Sequence, residues 1–269
     1  MSMKYAFMSF STPELKLAEM CELAKRYGYD GVEPRLDAGH THGVEVGATS
    51  AQRAALRAQV DAAGVRLVCL ATSLSYADEA KTESMLAQTH ERIDLAGDLG
   101  VPCVRVFGGK IPDGVSREQA VTLVAMSLAH VAAHAEKRGV TLCLETHDDW
   151  CDPAHVAAVM TRVNRASVGV NWDIMHPVRT GRATIDQAFQ TLAAWIRHCH
   201  IHDGVIGANK DVNLVPIGTG DIDHHGALAC LMRAQYRGYL SGEWINWEAA
   251  ELHLPRELAA MKRYEVELR

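Results

Sequence analysis

Eight short apolar runs, each followed by a longer amphipathic stretch, alternate along the chain, and this constrains the fold more than any other feature. The strand-length runs are Tyr5–Phe7, Gly31–Arg35, Arg66–Ala71, Cys103–Phe107, Thr141–Glu145, Gly169–Asp173, Ile196–Asp203 and Leu240–Trp244. The helix-length stretches are Pro13–Tyr27, Ser50–Ala63, Glu79–Leu99, Arg117–Arg138, Pro153–Asn164, Ile185–Ala194, His224–Gln235 and one from Ala249 to about Tyr264. Strands that alternate with helices make a parallel sheet, because each return crossing needs a helix's length of chain. Eight such units in 269 residues predict an α/β fold, a closed (β/α)8 barrel of the TIM type, read as a single domain over 1–269. Gly28, Gly64, Gly100, Gly139 and Gly238 each fall where a helix gives way to a strand, the place where a left-handed residue ends a helix.

Composition narrows the class of function. A net charge of −6 with dispersed basic residues lacks the basic stripe of a nucleic-acid binder, so no nucleic-acid partner is expected. No apolar run approaches the roughly 20 residues of a membrane span, so no membrane role is expected. Met1–Phe10 lacks a basic n-region and a long apolar segment, which points to a cytoplasmic protein. The seven cysteines are odd in number and include no C-x-x-C pair; four sit in strand-like runs, so buried, reduced thiols are expected.

In a barrel of this kind the chemistry gathers where the strands end. The fifth run ends at Glu145 and the sixth at Asp173; the seventh reads His198-Cys199-His200-Ile201-His202-Asp203, and the eighth reaches Glu243. Side-chain alternation puts Leu142 and Leu144 on one face, and Glu145 on the other with Cys143. The same parity turns Asn171 and Asp173 inward, along with His198, His200, His202 and Glu243. Three carboxylates converging with an imidazole repel one another unless a cation is present, so a bound metal ion is expected. Parity alone leaves His198, His200 and His202 open as the imidazole.

These residues resemble the xylose-isomerase-like superfamily of sugar isomerases, epimerases and keto-polyol dehydratases, which also contains the apurinic endonuclease. The resemblance rests on Gly31-Val32-Glu33, Gly139-Val140 through Leu144-Glu145-Thr146-His147, Asp173-Ile174-Met175-His176, His200-Ile201-His202-Asp203, Gly218-Thr219-Gly220, and Gly238-Tyr239 through Gly242-Glu243. It spans nearly the whole chain. It implies one divalent metal ion on Glu145, Asp173, His200 and Glu243, with Mn2+ or Mg2+ favoured and Co2+ or Zn2+ also suited. It further implies that Glu145 and Glu243 act as the acid–base pair, and that His176 lies beside the substrate oxygens. His147, Arg105, His202 and Lys210 complete the expected substrate contacts. The implied activity is isomerisation or epimerisation of a keto-sugar or polyol through a metal-stabilised enediolate. A dehydratase (lyase) acting on keto-inositol or dehydroshikimate is the alternative. The partner expected is a small polyhydroxy carbonyl compound, and barrels of this type often form a homodimer or homotetramer.

Departures from the relatives matter too. The third and fourth runs end without histidine, and Asp211-Val212-Asn213 stands where the endonucleases carry Asp-x-His. A trinuclear phosphodiester hydrolase is therefore disfavoured, and a non-catalytic sugar-binding barrel is disfavoured by the intact ligand types. Arg105 is expected to reach substrate or to pair with Glu33. Trp150 is expected to wall the sugar site and Trp172 to pack under the helices. His40 and His42 are expected to cap the mouth, Gly108-Gly109-Lys110 to form a turn, and His224-His225 to begin a helix.

Overall fold

The structure is a computed structural model that describes residues 2–269; Met1, where the single-domain reading begins, lies outside the described residues. The strands are β1 Lys4–Met8, β2 Gly31–Glu33, β3 Arg66–Leu67, β4 Leu70–Ser75, β5 Cys103–Phe107, β6 Thr141–Glu145, β7 Val168–Asp173, β8 Ile196–Ile201, β9 Asp203–Ile206, β10 Val212–Val215 and β11 Tyr239–Gly242. Nine of them form one parallel sheet in the order β3-β2-β1-β11-β8-β7-β6-β5-β4. β3 and β4 are two lengths of one stave, interrupted at Val68 and Cys69. Backbone bonds from Val68 N to Val32 O (3.1 Å), Ala71 N to Pro34 O (3.0 Å) and Leu36 N to Ala71 O (2.9 Å) carry pairing across the break and bring the ring round. The expected (β/α)8 barrel is thus present, with its third stave broken.

Around the barrel lie α1 Leu17–Tyr27, α2 Ser50–Ala63, α3 Thr82–Leu99, α4 Arg117–Arg138, α5 Pro153–Val163, α6 Met175–Arg179, α7 Ile185–Leu192, α8 His224–Arg233 and α9 Ala250–Glu267. Reciprocal caps start three of them: Thr49 with Gln52 on α2, Ser116 with Gln119 on α4, and Thr184 with Gln187 on α7. Each pair satisfies backbone donors that the first helical turn cannot. α8 begins at His224, as expected, with Asp223 accepting from Gly226 N. No helix among the described residues is long and apolar enough to cross a membrane.

Four of the five expected glycine stops hold: Gly28, Gly64, Gly100 and Gly139 are all left-handed C-caps. At the fifth junction Gln235 takes the positive φ (55°), not Gly238. Gly238 serves close approach instead, since a Cβ there would lie 2.1 Å from Tyr236 Oη and 2.7 Å from the Arg197 carbonyl. Gly139 has φ 68° and nothing within 4 Å of an added Cβ, so it isolates the conformational cost from any clash. Gly139→Ala is expected to destabilise the protein by about 1–2 kcal/mol, the usual cost of left-handed backbone in an L-residue. Urea unfolding measures this, and an unchanged midpoint would contradict it.

Packing follows the alternation. Leu142, Leu144, Val170 and Trp172 are fully buried against the helices, Trp172 beside Phe189. Ala6, Val68, Cys69, Cys103 and Cys143 form a separate small cluster. All seven cysteines are free and buried, as expected. The run expected as one strand over Ile196–Asp203 divides, because β9 leaves the barrel to pair antiparallel with β10. The stretch Gly204–Asp223 is therefore partly a hairpin, held at its base by Asp203. That buried carboxylate accepts from Gly204 N (2.8 Å), Gly218 N (2.8 Å), Gly220 N (3.1 Å) and Ile222 N (3.2 Å).

Candidate functional site

The ends of β6, β7, β8 and β11 bring Glu145, Asp173, His200 and Glu243 together, with one ligand atom from each within 4.8 Å of all the others. The parallel register accounts for the convergence: Asp173 lies opposite His200, and Ser241, two residues before Glu243, also lies opposite His200. All four side chains are buried. His200 Nδ1 lies 2.8 Å from Glu145 Oε1, 3.2 Å from Glu243 Oε2 and 3.1 Å from Asn171 Nδ2.

Glu33 supports this group from below and was not singled out as a site residue from sequence. Its Oε1 lies 3.1 Å from His200 Nε2 and its Oε2 lies 2.8 Å from His198 Nε2. A carboxylate only accepts, so Nε2 donates to Glu33 and Nδ1 to Glu145; Glu33 fixes the ring from behind, and Nδ1, facing Glu145 and Glu243, is the nitrogen that would give up its proton to a metal ion. His198 sits a layer deeper, bonded to Glu33. His202 turns to Asp173 instead, with Nε2 2.8 Å from Oδ2. His176 Nε2 lies 3.8 Å from that same oxygen. The other oxygen of Asp173 accepts from Met175 N (2.9 Å) and His176 N (3.0 Å), at the start of α6, a turn that sequence reading had not anticipated.

Arg105 pairs with Glu145 rather than Glu33. Its Nε is 3.2 Å from Glu145 Oε2 but off hydrogen-bond alignment, so both buried atoms keep unused bonding capacity. Its Nη1 donates to Thr72 O (2.7 Å), and the guanidinium lies over the Phe107 ring at 4.0 Å. His147 packs against Phe107 and His176, with ring centroids 4.7 Å and 4.5 Å away. Lys210 is not brought to the group: it sits on the exposed β9–β10 turn, and its Nζ donates to Thr180 O at 2.6 Å.

Trp150 is fully buried, with Nε1 donating to Gly109 O (2.8 Å), so it packs beneath the rim and does not wall the mouth. His40 Nδ1 reaches Ser9 Oγ (2.8 Å), and buried His42 staples the loop after β2 through Arg35 O and Val44 N. Arg35, also passed over from sequence, follows β2 with its guanidinium on Ser73 Oγ and Leu36 O. Burial and the nearby Arg105 bring its pKa down to about 10, with Glu243 and Glu145 acting the other way.

The electrostatics are those of mutually stabilised ions. Burial alone would raise the carboxyl of Glu33, but His198 and His200 hold it well below the usual range. Burial is likewise outweighed at Asp173 by His176 and His202, and at Glu243 by His200, which brings Glu243 down to about 2. His200 is raised well above its ordinary value, as Glu33, Glu145 and Glu243 overcome its burial. Burial lowers His176 to about 4, so that imidazole is neutral at pH 7. The depressed carboxyls contribute stability that is present above about pH 4.5, the ordinary Glu value, and is lost as pH falls through their folded values. The raised His200 contributes stability that is present below about pH 6.5 and is lost as pH rises through its folded value. Chelator-treated protein is therefore expected to be most stable between those limits. Denaturation midpoints that climb steadily to pH 8 would contradict this.

The donor set suits a divalent cation. Three carboxylates and an imidazole nitrogen face one point, and Glu145 Oε2 is buried without a hydrogen-bond partner. Two further groups overlap this one: Glu33 with His198 and His200, and Asp173 with His176 and His202.

Comparison with known proteins agrees with the architecture. The family described as "Xylose isomerase-like TIM barrel" matches residues 21–264. Among solved structures, the IOLI protein with a bound zinc atom superposes with a TM-score of 0.81, at 20% identity over 99% of this chain and 98% of that one. The probable 3-DHS dehydratase AsbF from Bacillus anthracis gives 0.80, at 17% identity over 97% and 99%. The 3-keto-D-glucoside 4-epimerase YcjR from E. coli gives 0.79, at 17% identity over 97% and 100%. At these identities the likeness speaks for the fold alone. A search of curated proteins found no match.

Proposed function

Because the chain belongs to the xylose isomerase-like TIM-barrel family, we propose that it is a divalent-metal-dependent isomerase or epimerase of a ketose, keto-polyol or related polyhydroxy carbonyl compound. The observation that carries this reading is the convergence of Glu145, Asp173, His200 and Glu243 at the barrel mouth, with Glu33 orienting His200 from behind. Those four side chains would hold the ion, and their oxygen-rich set suits Mn2+ or Mg2+, with Co2+ or Zn2+ also accommodated. When bound, such an ion supplies Lewis-acid polarisation of a substrate carbonyl.

The chain's own groups do the rest. Glu145 and Glu243 reach the mouth from staves that β7 and β8 separate, so they meet a bound substrate from different directions. One removes the proton next to the carbonyl, and the other returns it to a different face or carbon. Neutral His176 offers hydrogen bonds to substrate hydroxyls, and His147 and Arg105 flank the same space. A dehydratase would use the same residues, with a β-hydroxyl expelled once the proton has left. The comparably good fits to AsbF and YcjR support keeping that second reading.

The test is Mn2+ binding, read from the loss of the free-ion EPR signal, followed by NMR of candidate ketoses in D2O. About one tightly held Mn2+ per chain, lost in His200→Ala, is expected, with deuterium entering next to the carbonyl. Exchange with a new sugar isomer identifies the isomerase or epimerase, and loss of water identifies the lyase. Absence of both Mn2+ binding and exchange would overturn the reading.

A further inference from the structure

Across the ring from Asp173, the stave formed by β2 carries a cation that no acid pairs. Glu33 reaches inward to His198 and His200. Two residues further along the extended backbone, Arg35 falls on the same inner side, one layer nearer the rim. The register between staves places it there as well. Arg35 pairs with Ala71, and Ala71 with Arg105, which points inward onto Glu145. Side chains at one level of neighbouring parallel staves share a side. Arg35 and Arg105 therefore stand on either side of Ala71, which contributes only a methyl group between them.

The two guanidiniums differ in what they meet. Arg105 is fully buried, with Glu145 at 3.2 Å. Arg35 is half-buried, and among the described residues it bonds neutral acceptors only: Leu36 O, Ala71 O at 3.5 Å, and Ser73 Oγ. Its Nε makes no hydrogen bond among them. Asp37, two residues on, is taken by Arg92 Nη2 at 2.8 Å. Glu243 and Glu145 are near enough to favour the charge on Arg35, which sets the guanidinium within the field of the mouth. Once those carboxylates are engaged by an ion, that support is spent, and Arg35 is left as a cation in want of an anion.

We propose that Arg35 selects substrates bearing a carboxylate remote from the carbonyl, so that the compound handled at the mouth is a sugar acid and not a neutral ketose. The assignment rests on the metal-dependent reading of the mouth given above. A guanidinium presents a planar fork that matches both oxygens of a carboxylate, and the charge-assisted bonds so made are about twice as strong as those to neutral acceptors. Ser73 Oγ is such a neutral acceptor, so a substrate carboxylate can take its place. A polyhydroxy chain that meets the quartet with its carbonyl end extends its other end across the ring, toward β2. Arg35 is in this account a specificity-determining residue and takes no part in proton transfer.

Mn2+-loaded protein tests the assignment, with ligand binding read from the change in water-proton relaxation by the bound ion. The probes are D-fructuronate against D-fructose, D-tagaturonate against D-tagatose, and D-fructose 6-phosphate. In wild type the acid of at least one pair is expected to bind about 10–100-fold more tightly than its neutral partner, the usual gain from hydrogen bonds to a charged group. The phosphate is expected to bind less tightly than that acid. Arg35→Gln is expected to bring acid and ketose level, with ketose affinity and about one Mn2+ per chain retained, and Arg35→Lys to recover part of the preference. Ser73→Ala removes a bond to the guanidinium but no charge, and is expected to keep the preference. An Arg35 that only braced the stave would, when replaced, weaken acid and ketose together. Acid and ketose binding alike in wild type, or a preference that survives Arg35→Gln, would overturn the proposal, and tighter binding of the phosphate would overturn the choice of carboxylate. Wild-type protein that binds no Mn2+ would instead overturn the reading of the mouth, and this assignment with it.

Discussion

Glu243→Gln is expected to lower kcat by about 10²–10⁴-fold, the range set by loss of one acid–base group. The amide preserves the shape of the side chain and one oxygen donor. The backbone that carries it is fixed independently, by Glu243 N donating to Ile201 O at 3.1 Å. Lost instead is a carboxylate that His200 keeps ionised despite burial. Glu145→Gln should show a loss of the same order, because the proposed reaction needs one group to take the proton and another to return it. Measuring kcat at saturating Mn2+, beside Mn2+ affinity, separates the two roles of each residue. A large fall in kcat with the metal still bound identifies proton transfer. A fall that excess Mn2+ repairs identifies a ligand only. Undiminished kcat in either variant would remove that residue from the acid–base pair.

The largest effect on stability is expected at Asp203. Removing its carboxylate by Asp203→Ala strips the acceptor from four backbone donors at once. Each buried donor left unpaired costs about 1–3 kcal/mol, and water entering from the loop side will recover part of that. A net loss of about 3–5 kcal/mol is therefore expected, with faster amide exchange across Gly204–Ile222. Denaturant titration gives the first quantity and hydrogen exchange the second. A loss below about 1 kcal/mol would mean that the hairpin and the Gly218–Gly220 turn hold themselves without the acid.

Glu145 and Asp173 were legible in the sequence because β6 and β7 are long enough for alternation to show which side chains turn inward, whereas alternation along β8 left His198, His200 and His202 equal and only the resemblance chose among them. Glu33 was not, because β2 has only three residues, too few to establish a period, and the importance of the acid lies in two histidines over 160 positions away. The break in the third stave was hidden for a related reason: Val68 and Cys69 are apolar like their neighbours, so hydrophobicity runs on where the pairing does not. Trp150 misled because a large aromatic near a strand end suits a sugar-binding wall as well as a core. The Gly109 carbonyl that takes its indole proton comes from another loop. Arg35 offered only a charge at the end of a short run; its place beside the mouth emerges once the loop after β2 folds back through His42 and Ser9.

The four converging side chains come from four successive staves, β6, β7, β8 and β11, so the ring is divided into two unequal responsibilities. The arc from β1 to β5 carries Ser9, Arg35, Ser73 and Phe107 at or near its stave ends and contributes none of the four. Drift or laboratory randomisation on that arc leaves the four in place so long as Glu33 of β2 and Arg105 of β5, which touch His200 and Glu145, are kept. A barrel partitioned in this way is well suited to acquiring new substrates by gradual change.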